Sequence, residues 1–238
     1  MSPWIQVALL TSMAGVAMPI GAALASFERI RPRWLEQEFR HAVIAFGGGA
    51  LLAAVALVLI PEGIRALPPL LVVVCFVAGG LLSMQLDVAL ARNDTSASQL
   101  VAMLADFLPE ALALGATLTK SSAAGLLLAG IIALQNVPEG FNAYREMRKS
   151  TDYGAGTIIG AFALMALLGP AIGLLGYAFL SDLPSVVSGI MVFSAGGILY
   201  LIFQDIAPQV RLENHWAPPL GAILGFLLGV LGKMASGG

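Results

Sequence analysis

Apolar runs of roughly 20 residues, each long enough to carry a helix across ~30 Å of hydrocarbon, follow one another along nearly the whole of this sequence. Eight are visible, running approximately Trp4–Phe27, His41–Ile60, Pro68–Ala91, Ser98–Leu118, Ala123–Ala143, Thr157–Leu180, Pro184–Pro208 and Pro218–Leu231. They are too long and too uniformly apolar for the alternating strands of a membrane barrel, so helices are expected throughout. A water-soluble fold cannot hide this much apolar side chain. Of the 238 residues 58% are hydrophobic and 11% charged, with mean hydropathy +0.90, whereas a soluble domain keeps about a quarter of its residues charged. The expected class is therefore an all-α membrane protein of eight spans, with residues 1–238 forming one transmembrane domain.

The first run lacks a basic leading segment and exceeds the apolar core of a secretory signal, so it is expected to remain as a span. Cys75 stands alone inside the third run, which leaves no internal disulfide and reads as apolar filler. The net charge of −2 says little, but the basic residues are unevenly placed. Alternating loops put nine of them, Arg29, Arg31, Arg33, Arg40, Arg92, Arg145, Arg148, Lys149 and Arg211, on one side and only Arg65, Lys120 and Lys233 on the other. Basic loops stay in the cytoplasm, which places both termini outside. The segment Glu28–Arg40, with four arginines and three glutamates, fits a topology anchor against anionic lipid.

Internal echoes run through the chain. Phe46-Gly-Gly-Gly-Ala-Leu-Leu through Ile60-Pro61 returns 147 residues later as Phe193-Ser-Ala-Gly-Gly-Ile-Leu through Ala207-Pro208. A weaker echo pairs Met18-Pro19-Ile20-Gly21 with Gly169-Pro170-Ala171-Ile172-Gly173. Taken together these relate spans one to three to spans six to eight, with four and five between them. Halves of three spans have opposite topology, the inverted-repeat design of many secondary transporters. Chance likeness between Gly-rich apolar helices is the competing explanation.

A third echo places charge in the membrane. Asp106-Phe107-Leu108-Pro109-Glu110-Ala111 in span four is matched 29 residues later by Gln135-Asn136-Val137-Pro138-Glu139-Gly140 in span five. An ionised group near the bilayer centre costs at least ~2.5–3.5 kcal/mol on insertion scales, so two idle carboxylates on neighbouring helices are hard to retain. Asp106 and Glu110 are four residues apart, as are Gln135 and Glu139, so each pair stacks on one helical face. Each proline also frees a backbone carbonyl, of Ala105 and of Leu134. Facing carboxylates repel unless a proton or cation joins them, and a divalent metal satisfies both. The alternative is that Glu110 and Glu139 are protonated and only hydrogen-bond two helices together.

The paired Pro-Glu motifs resemble the fourth and fifth helices of the ZIP (Zrt/Irt-like) family of divalent metal transporters, bacterial type. The likeness extends to the span count, the external termini, the Gly-rich second helix and a seventh helix ending in Gln204-Asp205-Ile206-Ala207-Pro208. It implies a ZIP-like fold and metal cation transport across a bacterial inner (plasma) membrane, with the ion as substrate and no prosthetic cofactor. By position, Glu110 and Glu139 would be central ligands, Asp106 and Gln135 would complete a first metal position, and Asn136 would belong to a second. The likeness also implies a homodimer and an elevator-like motion, helices one, four, five and six sliding against two, three, seven and eight.

The departures bear on the metal. Asp106-Phe107 stands where the family usually has His-Asn, Gly169 replaces a glutamate before the proline of helix six, and Leu51 replaces a methionine of helix two. A single ion, or loose binuclear binding, is expected. The two histidines, His41 and His215, fall at or near loops, and His41 reads as interfacial. An all-oxygen site suits Mn, Mg or Ca, with Fe(II) at the margin, and weakens zinc preference.

Other polar residues carry weaker expectations. Gln204 and Asp205 end span seven, and Asp87 with Gln85 ends span three on the same side, forming either an exit path or ordinary solvated helix ends. Glu62 reads as a local cap. Gly47-Gly48-Gly49, Gly79-Gly80 and Gly196-Gly197 read as close helix packing. No phosphate-binding loop, nucleophile triad or basic stripe for nucleic acid is visible. Two further readings stay open: a metal-sensing or non-transporting relative, and an intramembrane metalloenzyme, which the lack of intramembrane histidines disfavours.

Overall fold

The computed structural model describes residues 2–28, 33–93, 96–118, 122–210 and 218–236. Arg29, Arg31, Lys120, Arg211 and His215 lie outside the described residues. Those described are helical, with no strand among them. We number the helices α1 (Pro3–Phe27), α2 (Arg33–Ala54, continued by short helical turns to Ala66), α3 (Pro69–Asn93), α4 (Ser96–Thr117), α5 (Ser122–Ser150), α6 (Ala155–Leu180), α7 (Pro184–Val210) and α8 (Pro218–Ala235).

Among the described residues, seven of these are long and apolar enough to span a membrane. The most polar of the eight expected spans is α5. It runs 29 residues but carries Gln135, Asn136, Glu139, Asn142, Arg145 and Glu146, too much polarity for a lipid-facing helix. Burial explains how it is held, since α1, α2, α4 and α8 pack around it and Gln135 and Asn136 are each 1% exposed. By contrast α3 buries almost none of its length and presents Leu70, Val73, Val74, Val77, Leu81 and Leu82 outward. A side so apolar and so open matches lipid, and the chain is an integral membrane protein.

Two bundles are evident. α1 packs on α5 and on α6, and α4 packs on α6 and α5. α8 lies along α2, and α3 along α7. The bundles meet where α2 crosses α5 and where α4 crosses α7. Glycine sets the spacing within each. A Cβ on Gly49 would lie 2.0 Å from the Ala222 carbonyl oxygen, and one on Gly225 would lie 2.0 Å from that of Phe46. Across α3 and α7, Gly79 meets the Phe193 carbonyl at 1.9 Å and Gly196 that of Phe76 at 2.0 Å. Such backbone approaches admit no side chain, the small-residue mode of membrane helix packing.

Proline shapes the helices locally. α2 contains a π-helical turn at Val55–Leu59 and α7 one at Ile202–Ile206, each ending two residues before a proline, Pro61 or Pro208. In both, the next residue donates its N–H five residues back, Ile60 to Val55 and Ala207 to Ile202. The wider turn reassigns carbonyls that the proline ring cannot serve. The two π turns stand at the 147-residue offset of the sequence echo. α6 runs as one span, as expected, but its helix is interrupted at Leu167, between Ala155–Ala166 and Leu168–Leu180. Pro170 has no N–H for the carbonyl of Ala166, and that oxygen faces Gly15 of α1. Cys75 is half-buried rather than core, its sulfur against Gly189.

Gly49→Val and Gly225→Val are expected to lower stability by about 1–3 kcal/mol or more, because a carbonyl on a packed helix cannot step aside. Gly130 has nothing within 4 Å of an added Cβ, so Gly130→Ala should hold or raise stability. Thermal unfolding in detergent separates the two outcomes.

Candidate cation site

α4 and α5 pack against each other, each with a proline inside, Pro109 and Pro138. Glu110 is 1% exposed and its carboxylate receives both of its protein hydrogen bonds from one group, Gln135 Nε2, at 2.8 Å to each oxygen. A carboxylate only accepts, so the Gln135 amide must turn its nitrogen toward Glu110. Its carbonyl oxygen is left buried with no partner.

Asn136 points elsewhere. Its Nδ2 donates to the Ala14 carbonyl of α1 at 2.8 Å, fastening α5 to α1. The layer beside it is closed, because the Phe107 ring, 1% exposed, reaches between Gly15 and Gly169. A Cβ on Gly169 would lie 2.8 Å from Phe107 Cζ and 2.7 Å from the Thr11 carbonyl oxygen.

Asp106 and Glu139 face the other way, into a cavity of about 740 Å³ at the seam of the two bundles. Asn142 and Glu146 of α5, Asp87 of α3 and Asp205 of α7 also line it, and it reaches exposed Lys149, Ser150 and Gln209 at the end rich in basic residues. Asp87 Oδ2 accepts a 3.0 Å hydrogen bond from the Tyr200 hydroxyl, tying α3 to α7. The acidic groups act on one another through space: Asp106 and Glu110 both act on Glu139, and Asp87 and Glu146 act on Asp205. Like charges this close repel, and a proton or a cation between them relieves that repulsion.

The expected residues thus divide. Asp106 and Glu139 share the cavity, Glu110 and Gln135 are joined directly behind it, and Asn136 is committed to α1. Asp87 and Asp205 line the same cavity. Gln204 does not, and instead borders a separate shallow depression with Tyr200 and Phe203 on the outer face of α7. Among the described residues, no three histidine, cysteine, aspartate or glutamate side chains converge closely enough to hold a metal ion. Leu51 lines the cavity as an apolar wall.

Residues outside the site stay local. His41 Nδ1 lies 2.6 Å from the Gln37 carbonyl oxygen in its own helix. Glu62 pairs with Arg65 at 2.8 Å within one turn. Arg145 forms an ion pair with Glu28 across the ends of α5 and α1, its guanidinium 5.9 Å from the Phe141 ring centroid. Sequence reading passed over Asn142 and Glu146. The signal was present, because Gln135, Glu139, Asn142 and Glu146 follow a heptad-like spacing that keeps them on one side of α5.

Comparison of the sequence with protein-family models and with curated proteins returns no match.

Removing the donor to Glu110 strands a buried carboxylate. Gln135→Leu is expected to cost about 1.5–3 kcal/mol in thermal unfolding without divalent cations. Adding Glu110→Leu in the same chain should recover most of that loss, because neither polar group then remains.

Proposed function

We propose that this chain is a divalent-cation permease. The observation that carries the reading is a set of carboxylates on two adjoining, proline-interrupted helices. Two of them, Asp106 and Glu139, line a cavity that reaches one end of a membrane-embedded bundle. Carboxylates in such a place repel one another, and among the described residues the basic side chain lining the cavity, Lys149, stands at its exposed end, so a mobile cation is their natural partner.

The paired Pro-Glu motifs support membership of the ZIP family, although no family model matches. The 147-residue spacing of the two π turns, and helix pairings that exchange α2·α8 with α3·α7 and α1·α5 with α4·α6, support an inverted repeat. The division into α1, α4, α5, α6 and α2, α3, α7, α8 supports an elevator-type motion of one group past the other. In this reading the protein is a homodimer in a bacterial inner membrane, with both termini extracytoplasmic.

The substrate is a single hard or borderline ion. Glu110, Glu139, Asp106 and Gln135 would hold it, and the Gln135 amide must rotate so that its unpartnered oxygen faces the metal. Phe107 and the Asn136 hydrogen bond to Ala14 leave no open second position. An oxygen-only donor set favours Mn, Mg, Ca or Fe(II) over Zn. Asp87 and Asp205 would receive the ion on the way out.

A second reading is favoured by one observation. Because no three acidic, histidine or cysteine side chains converge among the described residues, the chain is alternatively a non-transporting relative, or one that senses metal without carrying it.

Uptake into proteoliposomes tests both. The protein should carry Mn, and Glu110→Ala and Glu139→Ala should each reduce flux to background while the protein stays folded. Normal transport by both variants ends the site assignment, whereas metal binding without flux in the wild type selects the sensing reading. Zinc should not outcompete manganese by a hundredfold.

A further inference from the structure

We propose that Asn142 is a cation-coordinating residue, supplying through Oδ1 a neutral oxygen on the step between Glu139 and Glu146; this rests on the permease reading. Gln135, Glu139, Asn142 and Glu146 are spaced by four, three and four residues, which stacks them along one side of α5. At ~1.5 Å rise per residue the stripe covers roughly 16 Å, about half the hydrocarbon thickness. Amide and carboxylate alternate along it.

Three buried side-chain polar atoms among the described residues have no hydrogen-bond partner, and two of them are the amide oxygens of this stripe, Gln135 Oε1 and Asn142 Oδ1. Leaving such an oxygen unpaired forfeits the hydrogen bond it would make with water. A leucine would fill the space without that cost. The neighbours explain why no partner is found. Asn142 shares the cavity wall with Glu139 and Glu146 on its own helix, Asp106 from α4, Asp87 from α3 and Asp205 from α7, with Lys149, Ser150 and Gln209 at the exposed end. The carboxylates beside it offer acceptors, so the amide oxygen takes its partner from what enters the cavity, a cation with its water.

A neutral donor at this point also has a kinetic use. A path of carboxylates alone would hold a divalent ion too firmly to release it, while bare apolar wall would not replace its hydration. Conduction requires binding strong enough for entry and weak enough for departure. An amide oxygen between two carboxylates meets both demands for an oxygen-preferring ion such as Mn(II).

The test is Mn uptake into proteoliposomes together with equilibrium Mn binding, for Asn142→Leu, the isosteric Asn142→Asp and Glu139→Ala. Asn142→Leu should lower the maximal rate on the order of tenfold, with the half-saturating concentration unchanged. Asn142→Asp should restore the oxygen, tighten Mn binding and slow release, so that maximal rate and half-saturation fall together. Wild-type kinetics for Asn142→Leu, or for Asn142→Asp where the leucine variant does not fold, overturn the proposal. If Glu139→Ala is inactive at the same time, the permease reading survives and this inference alone fails. If Glu139→Ala also transports normally, the reading beneath it fails.

Discussion

A helix as polar as α5 can stand in a bilayer only inside a sleeve of other helices, because each polar group turned toward hydrocarbon costs several kcal/mol. The sleeve must also be tight. Gly21 of α1 lies against the Val137 carbonyl and Gly140 of α5 against that of Met18, so the two backbones touch beside the polar layer. One turn earlier along α1, Asn136 reaches the Ala14 carbonyl. A side chain at either glycine would push the helices apart and break that hydrogen bond. Packing and polar satisfaction are thus one event here, and it determines which face of α5 remains for the cavity.

The second consequence concerns the seam. Asp106 and Glu139 belong to the bundle of α1, α4, α5 and α6, while Asp87 and Asp205 belong to that of α2, α3, α7 and α8. Contacts inside each bundle are backbone against backbone at glycine, whereas the seam holds a cavity. Any displacement of one bundle along the other therefore changes the distances between the two acidic pairs while leaving each pair on its own rigid support. The Tyr200 hydroxyl that holds Asp87 lies wholly within the second bundle and would move with it.

Much of this was legible in the residues, and the limit is instructive. Apolar run length located the spans, and the four-residue spacing put Asp106 with Glu110 and Gln135 with Glu139, because both depend on geometry within one helix. Partners across helices depend on how each neighbour is rotated and how closely it approaches. Hence Asn136, adjacent in sequence to Gln135, turned to α1, and Gln204, adjacent to Asp205, turned to the outer face of α7. The break in α6 was written in Gly169-Pro170 but hidden by the uniform apolarity around it.

Charge accounting gives the last step. Asp106, Glu110 and Glu139 interact electrostatically inside the membrane-spanning part of the protein, and Glu110 is held there by the Gln135 amide, a dipole rather than a cation. An arginine or lysine in its place would neutralise the layer permanently and close it to other ions. An amide instead has two ends of opposite sign. Its nitrogen quiets Glu110 when nothing else does, and its unpaired oxygen stands on the far side, where rotation would deliver it to an arriving metal. On the permease reading, this donor set is stable enough to fold and incomplete enough to bind, as a site that loads and empties repeatedly requires.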